Sequence, residues 1–170
     1  KVWLNKAKNK LAAKNITLKA LDHNLIDDIW SDQPPASKNP VTIQRQRYAG
    51  EKSSIKRNRI GAQIEAMGAD ALILTSLDSI AWIFNIRGSD VDCTPLVLSF
   101  AILYSNSKAK LFIDPDKLNE DVLNHLSQKV SCFAKDDFVN HLEKLGDDGL
   151  SAVVDPKKTH SAVFETLEKA

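Results

Sequence analysis

One short segment holds the residues best suited to chemistry: Asp78, Trp82, Arg87 and Asp90. The planar guanidinium of Arg87 can bind a carboxylate or a peptide carbonyl, and Asp90 can pair with Arg87 or accept an N-terminal ammonium group. Trp82 offers a large amphipathic wall for a bound peptide. A structural role competes at each position: Asp78 can cap a helix, Trp82 can pack in a core or between domains, and Arg87 can form an ion pair with Asp90 that holds the loop.

Buried elements on both sides must position this segment. The pattern predicts a strand at 71–74, a short apolar helix after cap residues 75–78, a polar loop with a flexible glycine at 85–90, and strands at 96–104 and 110–114 joined by a turn at 105–107. A charged loop between buried elements is typical of a working surface on a rigid scaffold.

Helices and strands alternate along the rest of the chain. The predicted helices are 2–14, a short one at 24–30, 51–67, 116–128, 136–145 and 159–170, and the predicted strands are 41–47, 130–134 and 151–154. This order indicates an α/β fold, a mixed β-sheet layered with helices. Proline-rich residues 31–40 indicate a semi-rigid linker. We therefore expect residues 1–40 to be the tail of a preceding domain plus this linker, and residues 41–170 to be the α/β domain.

The predicted helix at 51–67 has two faces. Its apolar residues recur at helical intervals (Ile55, Ile60, Ile64 and Met67), and its cations are assigned to the outer face (Lys52, Lys56, Arg57 and Arg59). The basic cluster is either an anion or partner site or a solvated helix face.

Composition excludes several classes of protein. Lys+Arg 23 against Asp+Glu 22 leaves no field that selects nucleic acid or an anionic membrane. No apolar run approaches the ~20 residues of a membrane span. The two cysteines, Cys93 and Cys132, suggest no disulfide framework and fit a reducing cytoplasm. The chain begins at Lys1 inside a helical pattern, so we expect an excised piece of a longer protein.

Metal and nucleophile motifs are missing from the sequence. The four histidines form no HExxH or Cys–His set, and we expect His125 and His141 to be surface or rim residues. Acidic residues between 114 and 137 lie near predicted helix starts, where capping explains them. There is no nucleophile elbow and no phosphate-binding glycine loop. We therefore predict no metal site, no cofactor and no catalytic residue in this chain.

Three segments resemble one family. LDSIAWIFNIRGSDV at 77–91, followed by Pro95, is similar to the LDEIAWLFNLRGSDV segment of aminopeptidase P, the Xaa-Pro aminopeptidases. NLIDDIW at 24–30, with Pro34 and Pro35, resembles the family's NLVDxIWxxRPP, although Gln33 replaces its arginine, and YAG at 48–50 resembles its entry to the first helix. The resemblance covers about residues 20–170.

This resemblance implies a creatinase/prolidase N-terminal-domain-like fold, the second domain of the three-domain form. It implies a parent enzyme that releases the N-terminal residue before proline, using two divalent cations, usually manganese, in a downstream pita-bread catalytic domain. This domain would border the catalytic cleft, limit substrate length and support homodimer contacts. Asp78, Trp82, Arg87 and Asp90 become cleft candidates, and Arg87→Ala is expected to weaken substrate use with little loss of folding.

Two other interpretations remain open. The chain could be a stand-alone binding module with this fold and no peptidase partner, since fold alone does not fix function. It could also belong to a relative that hydrolyses creatine or proline dipeptides, although the two motifs favour the aminopeptidase. The coding sequence after Ala170 discriminates between them.

Overall fold

The structure, a computed structural model, describes residues 2–21 and 23–169. Lys1, where the chain begins, and Ala170, the last residue of the predicted final helix, lie outside the described residues. The helices of the described part are α1 (Val2–Ala12), α2 (Gln46–Ala49), α3 (Ser53–Ala66), α4 (Leu77–Phe84), α5 (Glu120–Leu126), α6 (Phe138–Asp147) and α7 (Ser161–Lys169). Its strands are β1 (Thr42–Ile43), β2 (Ala71–Leu74), β3 (Ile86–Arg87), β4 (Phe100–Tyr104), β5 (Ala109–Phe112), β6 (Val130–Phe133) and β7 (Ala152–Val154).

Five strands form a mixed sheet in the order β6-β5-β4-β2-β7. The antiparallel pairs are β2–β4 and β4–β5, and the parallel pairs are β2–β7 and β5–β6. The turn at 105–107 makes β4–β5 a hairpin, and α5 lies in the crossover that joins the parallel pair β5–β6. The other parallel pair, β2–β7, is formed when the chain returns through α6 to the far edge of the sheet. The predicted mixed α/β fold is confirmed.

Helices cover both faces of this sheet because its strands are apolar on both sides. Along β2, Ala71 and Ile73 pack with Phe112 and Leu142 on the face covered by α6 and α7. Leu72 and Leu74 point to the opposite face, which holds Phe84 and the other buried side chains of α3, α4 and α5. Because successive side chains of a strand point to opposite faces of the sheet, the four apolar residues of β2 contribute to both hydrophobic cores.

Several predicted elements are different in the structure. The strand predicted at 41–47 is reduced to β1, and residues 46–49 form α2 instead. Residues 24–30 form turns rather than a helix, because the Asn24 side chain accepts a hydrogen bond from the Ile26 N–H and stabilises a competing local turn. The strand predicted at 96–104 begins only at Phe100. The preceding residues bond to the 88–90 loop instead, where the Asp90 N–H donates to the Leu96 carbonyl oxygen at 3.1 Å.

The faces of α3 also differ from the prediction. Lys56 and Arg57 are only 1% and 2% exposed, whereas Ile55 and Met67 are exposed. The reason is helical geometry: Lys56 lies four and eight residues before Ile60 and Ile64, so it shares their inward face. The prediction of a single outer basic face is therefore wrong.

Candidate functional site

An apolar groove beside Trp82 is the best candidate for a contact surface. We call it the Trp82 groove; it has a volume of about 460 Å³ and is lined by Ile60, Leu72, Leu74, Asp78, Ser79, Trp82 and Ile83. Its floor comes from β2 and its walls from α3 and α4. Trp82 is 43% exposed, so it is not a core residue of the described domain. An exposed indole beside apolar side chains suits binding to an extended peptide.

Two cations lie against the Trp82 ring. Lys56 Nζ is 4.5 Å and Arg59 Cζ is 5.7 Å from the ring centroid, within the range of cation–π interactions. Arg59 is also bound to the Glu51 carboxylate at 2.7 Å. The Trp82 ring is therefore held against α3 by two cations, although neither of them lines the groove.

Lys56 is the buried one of these two cations. Its ammonium group donates to the Trp82 carbonyl oxygen at 2.9 Å and to Asn85 Oδ1 at 2.7 Å. Burial lowers the pKa of Lys56, and the charges of Arg87 and Arg59 lower it further against the opposing effect of Glu51. These contacts fix the end of α4, where Asn85 adopts a left-handed conformation (φ 52°).

Arg87 supports the end of α4 instead of pairing with Asp90. Its Nη1 donates to the carbonyl oxygens of Ala81 at 3.0 Å and Ile86 at 2.8 Å. Arg87 is half-buried, and part of its donor capacity is already used within the domain. Because these bonds hold the chain where it leaves α4, we now expect Arg87→Ala to reduce stability as well.

Asp90 forms a buried ion pair with Lys117, so the predicted Arg87–Asp90 pair is wrong. Lys117 Nζ and Asp90 Oδ2 are 2.6 Å apart, and the two side chains are 5% and 0% exposed. Burial alone would raise the pKa of Asp90, but the hydrogen bonds from Lys117 and the Leu98 N–H outweigh it, so the pKa is lowered. Sequence spacing missed this pair because Lys117 is remote in the chain and joins the loop only through the fold.

Asp78 lies at the start of α4, although Ser76 and not Asp78 occupies the N-cap position. Its Oδ1 accepts from the Ser76 hydroxyl at 2.6 Å and from the Ser79 N–H at 2.8 Å. These hydrogen bonds, with a smaller contribution from Lys158, lower the pKa of Asp78 to about 2. Asp78 therefore keeps a negative charge in the lining of the groove.

The structure thus brings together two of the four predicted residues. Asp78 and Trp82 line the groove, whereas Arg87 does not line it and Asp90 is buried elsewhere. Lys56 and Arg59 contact the Trp82 ring as well, and their i, i+3 spacing on α3 was the signal for this shared contact.

No group of three or more His, Cys, Asp or Glu side chains among residues 2–21 and 23–169 is arranged to hold a metal ion. His125 Nε2 lies 2.9 Å from the Phe84 carbonyl oxygen, and His141 packs on Phe112 and Phe133. The described residues therefore do not fit the two divalent cations that the resemblance implies, and no reaction step is assigned to them. In the same ranges, no helix is long and apolar enough to cross a membrane.

Comparison with known proteins identifies the family. The Creatinase/Prolidase N-terminal domain family matches residues 32–170. Aminopeptidase P1 of Lotus japonicus is 39% identical over 117 residues, which are 69% of this chain and 18% of that protein. A probable Xaa-Pro aminopeptidase P of Chaetomium globosum is 38% identical over 112 residues, 65% of this chain and 18% of that protein.

A solved structure supports the same assignment. The X-prolyl aminopeptidase of Caenorhabditis elegans, a cytosolic enzyme with a di-nuclear active site, superposes with a TM-score of 0.77 at 26% identity. The match covers 88% of this chain and 25% of that enzyme. The chain spans less than a fifth of the length of the two curated relatives.

The chain belongs to the creatinase/prolidase N-terminal domain family. The resemblance to the Xaa-Pro aminopeptidases that was based on three motifs is confirmed by these relatives.

Proposed function

We propose that this chain is a non-catalytic domain of a metal-dependent Xaa-Pro aminopeptidase and that it borders the substrate cleft. The observation that carries this proposal is the similarity of the chain to a minor part of several such enzymes, at up to 39% identity. The metal ions and their ligands then belong to a larger catalytic part of the parent protein. The di-nuclear active site of the Caenorhabditis elegans enzyme supports this division.

The Trp82 groove is the proposed contact surface for the substrate. Its apolar floor suits the side chains of a peptide, and the exposed cation Arg59 beside the Trp82 ring suits a peptide carbonyl group or a terminal carboxylate. The negative charge of Asp78 in the groove lining suits an ammonium group. The proposed role is to position the peptide and to limit its length, while the bond is broken elsewhere.

We also propose that residues 1–40 belong to a preceding domain plus linker and that the parent is cytoplasmic. Large apolar side chains in this region are unusually exposed, including Trp3 at 78% and Ile29 at 81%, as expected for side chains that pack against another part of a longer protein. The cytosolic enzyme from Caenorhabditis elegans supports the location. Homodimer contacts remain part of the proposal.

The test is to assay the purified chain and the parent protein in parallel. With manganese present, the isolated chain should release no N-terminal residue from an Xaa-Pro peptide and should not bind manganese tightly. The parent should bind manganese and release the N-terminal residue. Manganese-dependent turnover by the isolated chain would refute the non-catalytic assignment. A parent without Xaa-Pro activity would refute the enzyme assignment.

A further inference from the structure

We propose that the N-terminus of α3 forms a binding site for a small oxyanion, a phosphate or carboxylate group. We call this cavity the Arg57 pocket. Its volume is about 310 Å³, and it is lined by Ile43, Gln44, Gln46, Lys52, Ser53, Ser54, Arg57, Asn85, His125 and Ser127. It is separate from the Trp82 groove and shares no lining residue with it, although both cavities lie against α3 and the α4 region. The inference does not depend on the proposed function.

The lining of the Arg57 pocket is cationic. It contains Lys52 and Arg57, several neutral side chains with donor groups, and no aspartate or glutamate. Cations without a nearby carboxylate favour an anionic ligand.

Arg57 is the central observation because its guanidinium is buried without a countercharge. The residue is 2% exposed, and no carboxylate of the described residues lies within salt-bridge distance of it. Its Nη1 donates to the neutral Ser53 hydroxyl at 2.7 Å, while its buried Nε has no hydrogen-bond partner among the described residues. Burial lowers the pKa of Arg57, and no acidic neighbour opposes this effect. A buried charge normally requires a pairing group, and an anion in the pocket would supply it.

The start of α3 adds unpaired donors to the same cavity. Lys52 occupies the N-cap position, and its side chain makes no capping hydrogen bond. The N–H groups of Ser53 and Ser54 have no acceptor within the described structure. In this 14-residue helix, the macrodipole adds partial positive charge at the same end. A helix N-terminus with free N–H groups binds phosphate and carboxylate in many proteins.

Other elements complete the walls and hold them in place. Ser53 Oγ, which accepts from Arg57, donates to the Ile83 carbonyl oxygen at 2.8 Å and so connects α3 to α4. The imidazole of His125 is fixed by its contact with the Phe84 carbonyl oxygen at 2.9 Å. The pocket is therefore preorganised, and an anion would enter without rearrangement of the fold.

The experiment is an NMR titration of the isotope-labelled chain with sodium phosphate and, separately, with sodium acetate at constant ionic strength. We expect saturable shifts of the Arg57 Nε–H and of the Ser53 and Ser54 amides with at least one anion. Arg57→Gln should weaken that binding by about tenfold or more, because a charge-assisted hydrogen-bond donor is lost. Lys144→Gln, which removes an exposed cation of α6 outside both cavities, should bind like the wild type.

The outcome of the titration decides both the site and its ligand class. Saturation by phosphate alone assigns a phosphate ligand, and saturation by acetate as well assigns a general carboxylate-type oxyanion site. Absence of saturable shifts with both anions, or equal binding by Arg57→Gln, would overturn the proposal. If Arg57→Gln fails to fold, Lys52→Gln replaces it, since Lys52 is an exposed residue of the lining, and unchanged binding by that variant would count against the site.

Discussion

The ion pair between Asp90 and Lys117 is the strongest local constraint on the loop that follows α4. Asp90 Oδ2 also accepts from the Leu98 N–H at 2.9 Å, so one carboxylate joins the loop, the segment before β4 and the turn before α5. The polar residues of this loop predicted a contact surface. In the structure the Asp90 side chain is buried and stabilises the loop instead.

We predict that Asp90→Asn destabilises the domain by about 3–5 kcal/mol, because Lys117 would keep a buried charge without its partner. Denaturant unfolding measures the change. Asp116→Asn is the matched control, since its pair with Lys38 is exposed and should contribute less than about 1 kcal/mol. Equal effects of the two substitutions would contradict the assigned role of the buried pair.

The same pair predicts how stability depends on pH. The pKa of Asp90 is lower in the folded protein than in the unfolded chain, so its contribution is fully present above the unfolded value of about 4. It is lost as the pH falls through the lower folded value. The stability difference between wild type and Asp90→Asn should therefore be constant at neutral pH and shrink in acid below about pH 4.

Residue roles were only partly predictable from the sequence. Trp82 and Asp78, two of the predicted cleft candidates, line one groove because they lie four residues apart on the same helix, while their role in substrate binding stays a prediction. The partner of Asp90 is 27 positions away in the chain, and no local pattern indicates such a pair. The spacing of Lys56 to Ile60 and Ile64 predicts a buried position on α3, whereas the charge of Lys56 alone favours an exposed one.

At the scale of the elements, a glycine allows α3 to pack close to the sheet. A Cβ atom at Gly61 would lie 2.6 Å from the Ser105 carbonyl oxygen, which belongs to the turn between β4 and β5. Gly88 has a similar role in the loop after α4, where a Cβ would lie 2.0 Å from Val97 Cγ2. The sequence suggested a flexible glycine at position 88, whereas the structure requires its small size.

We predict that Gly61→Ala lowers the free energy of unfolding, although alanine is favoured over glycine by about 1 kcal/mol inside a helix. The clash with a backbone oxygen has no flexible group that can move aside. Asn58→Ala, at an exposed position of the same helix, should raise stability by a few tenths of a kcal/mol from propensity alone. Thermal or denaturant unfolding compares the two variants, and stabilisation by Gly61→Ala would contradict the close packing of α3.

Elements with strong periodicity were predicted well, and those that depend on distant partners were not. β2 matches its predicted bounds because an apolar run specifies it locally, whereas α4 begins at Leu77, within the predicted cap residues, and ends at Phe84 as predicted. The strand predicted from residue 96 begins at Phe100, since the backbone at 96–98 bonds to Asp90. The helix predicted at 116–128 begins at Glu120, where Asn119 provides the cap through its bond to the Val122 N–H.

At the scale of the whole molecule, the first 40 residues differ from the rest of the chain in how exposed their large apolar side chains are. Beyond residue 41 most large apolar side chains are buried in the two cores, whereas between residues 3 and 30 many are exposed. This difference supports the proposal that the chain is one part of a larger peptidase. Within that proposal, the Trp82 groove is the surface expected to meet the substrate.

The most direct test of this account is the kinetics of the parent protein carrying Trp82→Ala, assayed on Xaa-Pro peptides of increasing length. We predict a loss in kcat/KM of about tenfold, the effect of about 1.4 kcal/mol and the size expected for one aromatic contact, with little change in melting temperature. Tyr48→Ala, another exposed aromatic residue outside the groove, should leave kcat/KM unchanged. Wild-type kcat/KM for Trp82→Ala at every peptide length would contradict the proposal that this domain borders the substrate cleft.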